Sequence, residues 1–149
     1  MTSLRIFTAF LVLSLGAAAI IGQEANDVPA FNKTVPAILP PILKPSELKT
    51  KTSADFQTHA YELAAKPGMA RLAAQMPCYC HCDRSLGHTS LHSCFSNKDE
   101  HGAVCGTCLQ EMYYTYQMHQ KGWTAKQIRD GIMKGDWKDI DLQTVTNHD

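Results

Sequence analysis

The stretch Met76-Pro77-Cys78-Tyr79-Cys80-His81-Cys82-Asp83 sets three thiols at alternate positions, and Cys94, Cys105 and Cys108 follow soon after. All six cysteines of a 149-residue chain therefore fall in one short segment. A disulfide between cysteines one residue apart closes a strained ring, so Cys78, Cys80 and Cys82 are expected to find partners elsewhere. In an extended segment successive side chains point to opposite faces. The three cysteines would then share one edge, with Tyr79 and His81 on the other. Cys105-Gly106-Thr107-Cys108 adds a two-thiol clamp at the start of a helix.

The pattern on either side is helical. Ser53 is positioned to cap a helix whose apolar face is Phe56, Ala60, Leu63 and Ala64. Pro67-Gly68 stops it, and Met69, Leu72, Ala73 and Met76 mark a second short helix that Pro77 ends. Leu91, Cys94 and Phe95 share a helical face. Ser96 to Gly102 is polar and reads as a flexible loop over the site. Thr107 and Gln110 have capping-box spacing for the clearest helix, with a stripe of Leu109, Met112, Tyr113 and Tyr116 and an end at Gly122. Under that cap Cys108 is the first helical residue, where the helix N-terminus favours thiolate. Thr124 and Gln127 open a last helix, with Trp123 stapled on Ile128, Ile132 facing inward and Gly135 at its end. The tail after Trp137 is weakly patterned, and no stretch alternates well enough for a sheet. The expected fold is mainly α: a small helical domain, residues 53–149, stapled by a cysteine cluster. A core this small gains from such a staple.

Ahead of the domain, Arg5 precedes the apolar run Ile6 to Leu15, broken only by Thr8 and Ser14, and Ala17-Ala18-Ala19 offers small residues for cleavage. Residues 1–19 read as a signal peptide, and 20–52 as a linker rich in proline (Pro29, Pro36, Pro40, Pro41 and Pro45). The alternative to a linker is an arm that packs Ile38, Leu39, Ile42 and Leu43 against the domain. The expected location is outside the cytoplasm, periplasmic or extracellular. A membrane enters only if the N-terminal segment stays uncleaved, and Ile6 to Gly22 is near the lower length limit for spanning one. Lysine plus arginine and aspartate plus glutamate both total 14, with no basic run, which excludes nucleic acid as a partner. The implied partners are a metal ion and a protein of the cell envelope.

Outside the cytoplasm thiols oxidise unless a metal or a reductant protects them. Three readings are open. In the first, Cys78, Cys80, Cys82, Cys105 and Cys108 converge on copper(I) or zinc, both of which accept thiolate readily. Cys94, His88 and His92 are second-rank ligands, the two histidines being four apart on one helix face, and Met76 offers a thioether. His59, His101, His119 and His148 are isolated and read as surface residues. In the second, disulfides staple an interaction module that presents Tyr79 and His81. In the third, Cys105 and Cys108 carry thiol–disulfide exchange, although the strands of a thioredoxin-like unit are missing. Covalent haem attachment is excluded, since Leu109 stands where C-x-x-C-H needs histidine. The dense spacing suits metal best, for carriage, storage or sensing. Paired carboxylates, a serine nucleophile and a phosphate-binding loop are missing, so an enzyme is not expected.

Pro77-Cys78-Tyr79-Cys80-His81-Cys82-Asp83, Gly87-His88-Thr89-Ser90-Leu91, Cys94-Phe95, His101-Gly102, Cys105-Gly106-Thr107-Cys108 and Glu111 occur in that order. Together they resemble the PCYCGC-motif family of exported bacterial proteins, over roughly residues 60 to 133. The chain departs at His81, where the motif has glycine; the imidazole adds bulk and a further nitrogen. Members of that family are often lipoproteins, but no cysteine lies near Ala19 to carry a lipid. The resemblance implies the domain and its export, and leaves the chemistry to the residues.

Overall fold

The computed structural model describes residues 27–50, 52 and 54–145. The expected leader at 1–19, the first linker residues, Ser53 and His148 lie outside the described residues. The described part is helical. It comprises α1 (Asp55–Ala65), α2 (Met69–Ala73), α3 (Cys82–Ser85), α4 (Leu91–Ser96), α5 (His101–Val104), α6 (Gly106–Gln120) and α7 (Ala125–Lys134), with 3-10 turns at Pro45–Glu47 and Asp136–Asp139. No strand occurs among the described residues.

Helix α6 is the axis on which the others assemble: α1, α2, α4, α5, α7 and the turn Asp136–Asp139 all pack on it. It is consequently buried around most of its circumference, with Cys108, Leu109, Glu111, Met112, Tyr113, Tyr114, Thr115 and Met118 inside. The expected stripe is thus too narrow. Tyr116 lies at its margin instead, where its hydroxyl accepts from Lys66 Nζ at 2.7 Å. The polar members are satisfied locally: the Thr115 hydroxyl donates to Glu111 O at 2.7 Å and the Tyr113 hydroxyl to Phe56 O at 2.9 Å. Beside α6, Tyr61 of α1 meets Phe95 of α4 edge to face at 5.0 Å between ring centres, a contact contributing about 1 kcal/mol beyond the area it buries.

Glycine sets two of the close approaches. A Cβ at Gly131 would lie 1.9 Å from Tyr114 Oη, so α7 can seat on α6 only through a bare backbone. A Cβ at Gly102 would lie 2.6 Å from the Cys94 carbonyl oxygen and 3.0 Å from the Phe95 ring, so α5 rides directly on α4. Helix α7 begins as its spacing predicts. Gln127 N donates to Thr124 Oγ1 at 3.3 Å and Thr124 N to Gln127 Oε1 at 2.9 Å, the reciprocal box. Ile128 and Ile132 are buried, whereas Trp123 stays exposed. The tail is better packed than its pattern suggests: Trp137 and Val145 are buried, and Gln110 Nε2 donates to Ile140 O at 2.9 Å.

Residues 27–50 run along the helical body with no regular structure beyond Pro45–Glu47. Proline has no N–H to give, so the contacts come from the residues between. Asn32 N donates to Ala74 O, and Leu43 N to Phe95 O, both at 3.0 Å. Ile42 and Leu43 pack against the core, while Ile38 is exposed. The polar segment after α4 is likewise tied down. Glu100 accepts from the backbone amides of Lys49 at 2.8 Å and Thr50 at 2.6 Å. Those donors, Lys49 first, hold its carboxyl below the usual range. Glu100→Ala is expected to release residues 49–50 and speed limited tryptic cleavage after Lys49 several-fold; an unchanged cleavage rate would show that the anchor is unimportant.

Candidate metal centre

Helix α2 ends at Ala73, before Pro77, and the chain turns just after the proline. His81 N donates to Cys78 O at 3.1 Å, closing a turn over Tyr79 and Cys80. His81 then takes a left-handed conformation, φ 56°, and α3 starts at Cys82. The expected comb is therefore broken. A turn followed by a left-handed residue does not keep alternate side chains on one edge, and the triplet divides. Cys78 and Cys80 face Cys108, at 3.3 and 3.6 Å, and are 3.3 Å from each other. Cys82 faces Cys94 at 3.4 Å.

The two-thiol clamp sits at the start of α6, but the helix begins two residues earlier than expected. Leu109 N donates to Cys105 O at 3.1 Å, so Cys105 is the cap, Gly106 opens the helix and Cys108 is its third residue. The Thr107 cap is thereby corrected. Two histidines complete the set. His88 Nδ1 lies 3.5 Å from Cys94 Sγ, and its Nε2 donates to Asp99 Oδ2 at 2.7 Å. In the neutral ring that bond fixes the tautomer whose Nδ1 lone pair faces the sulfurs, free to accept from a thiol or to ligate a metal. The other Asp99 oxygen accepts the His101 amide at 3.0 Å. His101 Nε2 lies 3.5 Å from Cys80 Sγ.

Three overlapping groups result, each with all its ligand atoms within 4.8 Å: Cys78, Cys80, Cys94 and Cys108; Cys80, His101, Cys105 and Cys108; and Cys82, His88 and Cys94. All six cysteines are free thiols. A tetrahedral centre with metal–sulfur bonds of about 2.3 Å has sulfur–sulfur edges of roughly 3.8 Å. The observed sulfur contacts of 3.3 to 3.6 Å need open by only a few tenths of an ångström to reach it. The cluster can accordingly hold a metal. His92 belongs to none of these groups: its Nε2 meets Pro40 O at 3.0 Å and its Nδ1 the Ser96 hydroxyl at 3.3 Å. Sharing a helix with His88 is the failed premise, because His88 precedes α4 and only His92 lies in it.

Crowding sorts the protons. Cys80 is held below the usual thiol range by donors from Cys105, then Cys108 and Cys78. Cys82 is brought down to about 3, by Cys108 first, then Cys78. Cys108 is pushed up by the same contacts, Cys105 first, and by its burial. The direction at Cys108 is thus opposite to the one expected of a helix N-terminus, while Cys80 and Cys82 are shifted toward thiolate. Burial disfavours a charged His88, but Asp99 and the Cys82 thiolate outweigh it and raise the ring's pKa. Burial alone keeps His92 low, against the pull of the Pro40 carbonyl. Glu111 is fully buried behind Cys78. Its Oε1 accepts Tyr79 N at 2.8 Å, Oε2 has no partner among the described residues, and burial pushes the carboxyl up to about 8.

Sequence reasoning missed His101, Asp99 and Glu111. One signal was available, since His101 stands four residues before Cys105 and seven before Cys108. Glu111 is marked only as one of the residues that carry the family resemblance, and Asp99 not at all; their roles come from the packing of α4, α5 and α6.

The family described as "protein of unknown function with PCYCGC motif" matches residues 43–140, well over half of the chain. No curated protein and no solved structure matches it. The motif's glycine falls at the position that is left-handed here, a conformation free to glycine and costly to other residues. His81→Gly is therefore expected to fold at least as well as the natural chain, and His81→Val to be about 1–2 kcal/mol less stable than His81→Gly. Equal thermal stability of the two variants would show that the turn relaxes.

Proposed function

The chain belongs to the family of proteins of unknown function with a PCYCGC motif, and we propose that it binds soft transition metal, copper(I) or zinc, outside the cytoplasm for carriage, storage or sensing. The observation that carries this reading is the convergence of six sulfurs and two imidazole nitrogens into groups of ligand size. Six thiols on one side and Asp99 behind His88 suit soft, borderline ions and not the oxygen-seeking ones. The shift of Cys80 and Cys82 toward thiolate favours the form that ligates. A metal there would tie α3, α4 and α6 together, and binding energy would become folding energy.

The test is a competition titration of the reduced full chain with copper(I) and, separately, zinc against a coloured chelator. Tight, saturable transfer to the protein supports the proposal; failure of both metals to leave the chelator overturns it. Asp99→Ala is expected to weaken metal binding about 10–100-fold, the usual effect of removing a carboxylate behind a ligand histidine. Unchanged affinity would mean that His88 does not ligate.

A second reading keeps a specific observation in its favour. Among the sulfur contacts, Cys78 with Cys108 and Cys82 with Cys94, at 3.3 and 3.4 Å, join distant stretches of chain, and oxidation would make them staples. An intact mass lighter by two hydrogens for each bond, in protein isolated under metal-replete conditions, supports that reading.

A further inference from the structure

The three ligand groups are not separate sites. Cys80 and Cys108 belong to both the first and the second group, and Cys94 belongs to both the first and the third. A sulfur shared by two groups would bridge if both held an ion, and such bridging would let eight donor residues serve three positions of four, four and three ligands. The groups also differ in access. Cys82, His88 and Cys94 are all buried, whereas Cys80, His101 and Cys105 are half-exposed. The number of half-exposed members grades the groups from three to one to none. The Cys80–His101–Cys105 group comes first, the Cys78–Cys94 group next, and the Cys82–His88 group last.

We propose that the centre is a three-ion thiolate cluster, bridged by Cys80, Cys94 and Cys108, that gains and loses metal through the half-exposed face of Cys80, His101 and Cys105. This rests on the metal-binding reading above and specifies its capacity and direction. An incoming ion meets Cys105 and His101 first, side chains that belong to the outer group alone. It passes inward by ligand exchange across a shared sulfur, one metal–sulfur bond forming as another breaks, with no change of oxidation state. His88, held by Asp99, anchors the ion of the group whose members are all buried.

The reduced full chain is titrated with copper(I) and with zinc, and ions per chain are counted by native mass spectrometry. X-ray absorption on the saturated sample then looks for metal–metal scattering. Three ions with metal–metal scattering, for either metal, are the expected result. Saturation at one ion for both metals overturns the cluster and leaves the metal-binding reading standing; no bound ion with either metal overturns both. Three ions without metal–metal scattering overturn the bridging. The double variant His101→Gln, Cys105→Ser alters half-exposed side chains, and circular dichroism checks its fold. It is expected to hold two ions and to lose the fast phase of metal release to a chelator. If it keeps three ions, or releases metal as fast as the natural chain, the outer group is misassigned. Cys82→Ser with His88→Gln is expected to hold two ions and to lose the slowest phase, and an unchanged slow phase contradicts the stated order.

Discussion

Cys108→Ser is expected to weaken metal binding by more than about 100-fold, beyond the range for residues that only support a ligand. The side chain is fully buried, touches Cys78 and Cys80, and is common to two of the three ligand groups. A serine hydroxyl keeps the shape within a few tenths of an ångström but offers no soft thiolate at neutral pH. Cys105→Ser provides the comparison, being half-exposed and a member of one group only. It is expected to lose far less. The measurement is affinity for copper(I) and zinc by chelator competition on both variants. Equal losses would mean that Cys108 is not central to the cluster.

Gly102→Ala is expected to destabilise the chain by about 1–3 kcal/mol, the usual cost of overpacking a tight contact. For a domain of this size that lowers the melting temperature by roughly 4–8 °C for each kcal/mol. The added methyl would press on the Cys94 carbonyl and the Phe95 ring, and the backbone oxygen cannot swing aside. Relief requires α5 to lift from α4. Because α5 carries His101, lifting it moves Nε2 away from Cys80, so metal affinity should fall along with stability. Gly106→Ala, also near the cysteines, meets nothing within 4 Å and should be neutral or slightly stabilising. A Gly102→Ala protein that melts with Gly106→Ala would show that α5 does not depend on the close approach.

Much of this arrangement is legible in the residues. The helical periods of Phe56 to Ala64 and of Leu109 to Tyr113, and the capping box at Thr124, forecast α1, α6 and α7 because each is set by local spacing. Convergence of the early thiols on the later clamp also follows from their chemistry. The division of the triplet does not. It turns on one backbone angle, the left-handed φ of His81, and the histidine there conceals the glycine signal that would have announced it. The choice of His101 over His92 is tertiary in the same way. His92 lies on a helix face that the 27–50 arm covers through Pro40, while α5 swings an apparently isolated His101 to within 3.5 Å of Cys80. The buried circumference of α6 escapes a stripe-based reading because its neighbours approach from nearly every side.

The central claim is that six sulfurs meet at one metal centre, and differential alkylation of the full chain tests it most directly. Protein isolated from metal-replete cells is treated with a thiol reagent as purified, after unfolding with a chelator, and after unfolding with a reductant. The account predicts little labelling of the native protein and six labels once a chelator removes the metal, with no further gain from the reductant. Labels that appear only after reduction would mean that the sulfurs are joined to one another, and the metal centre would not stand.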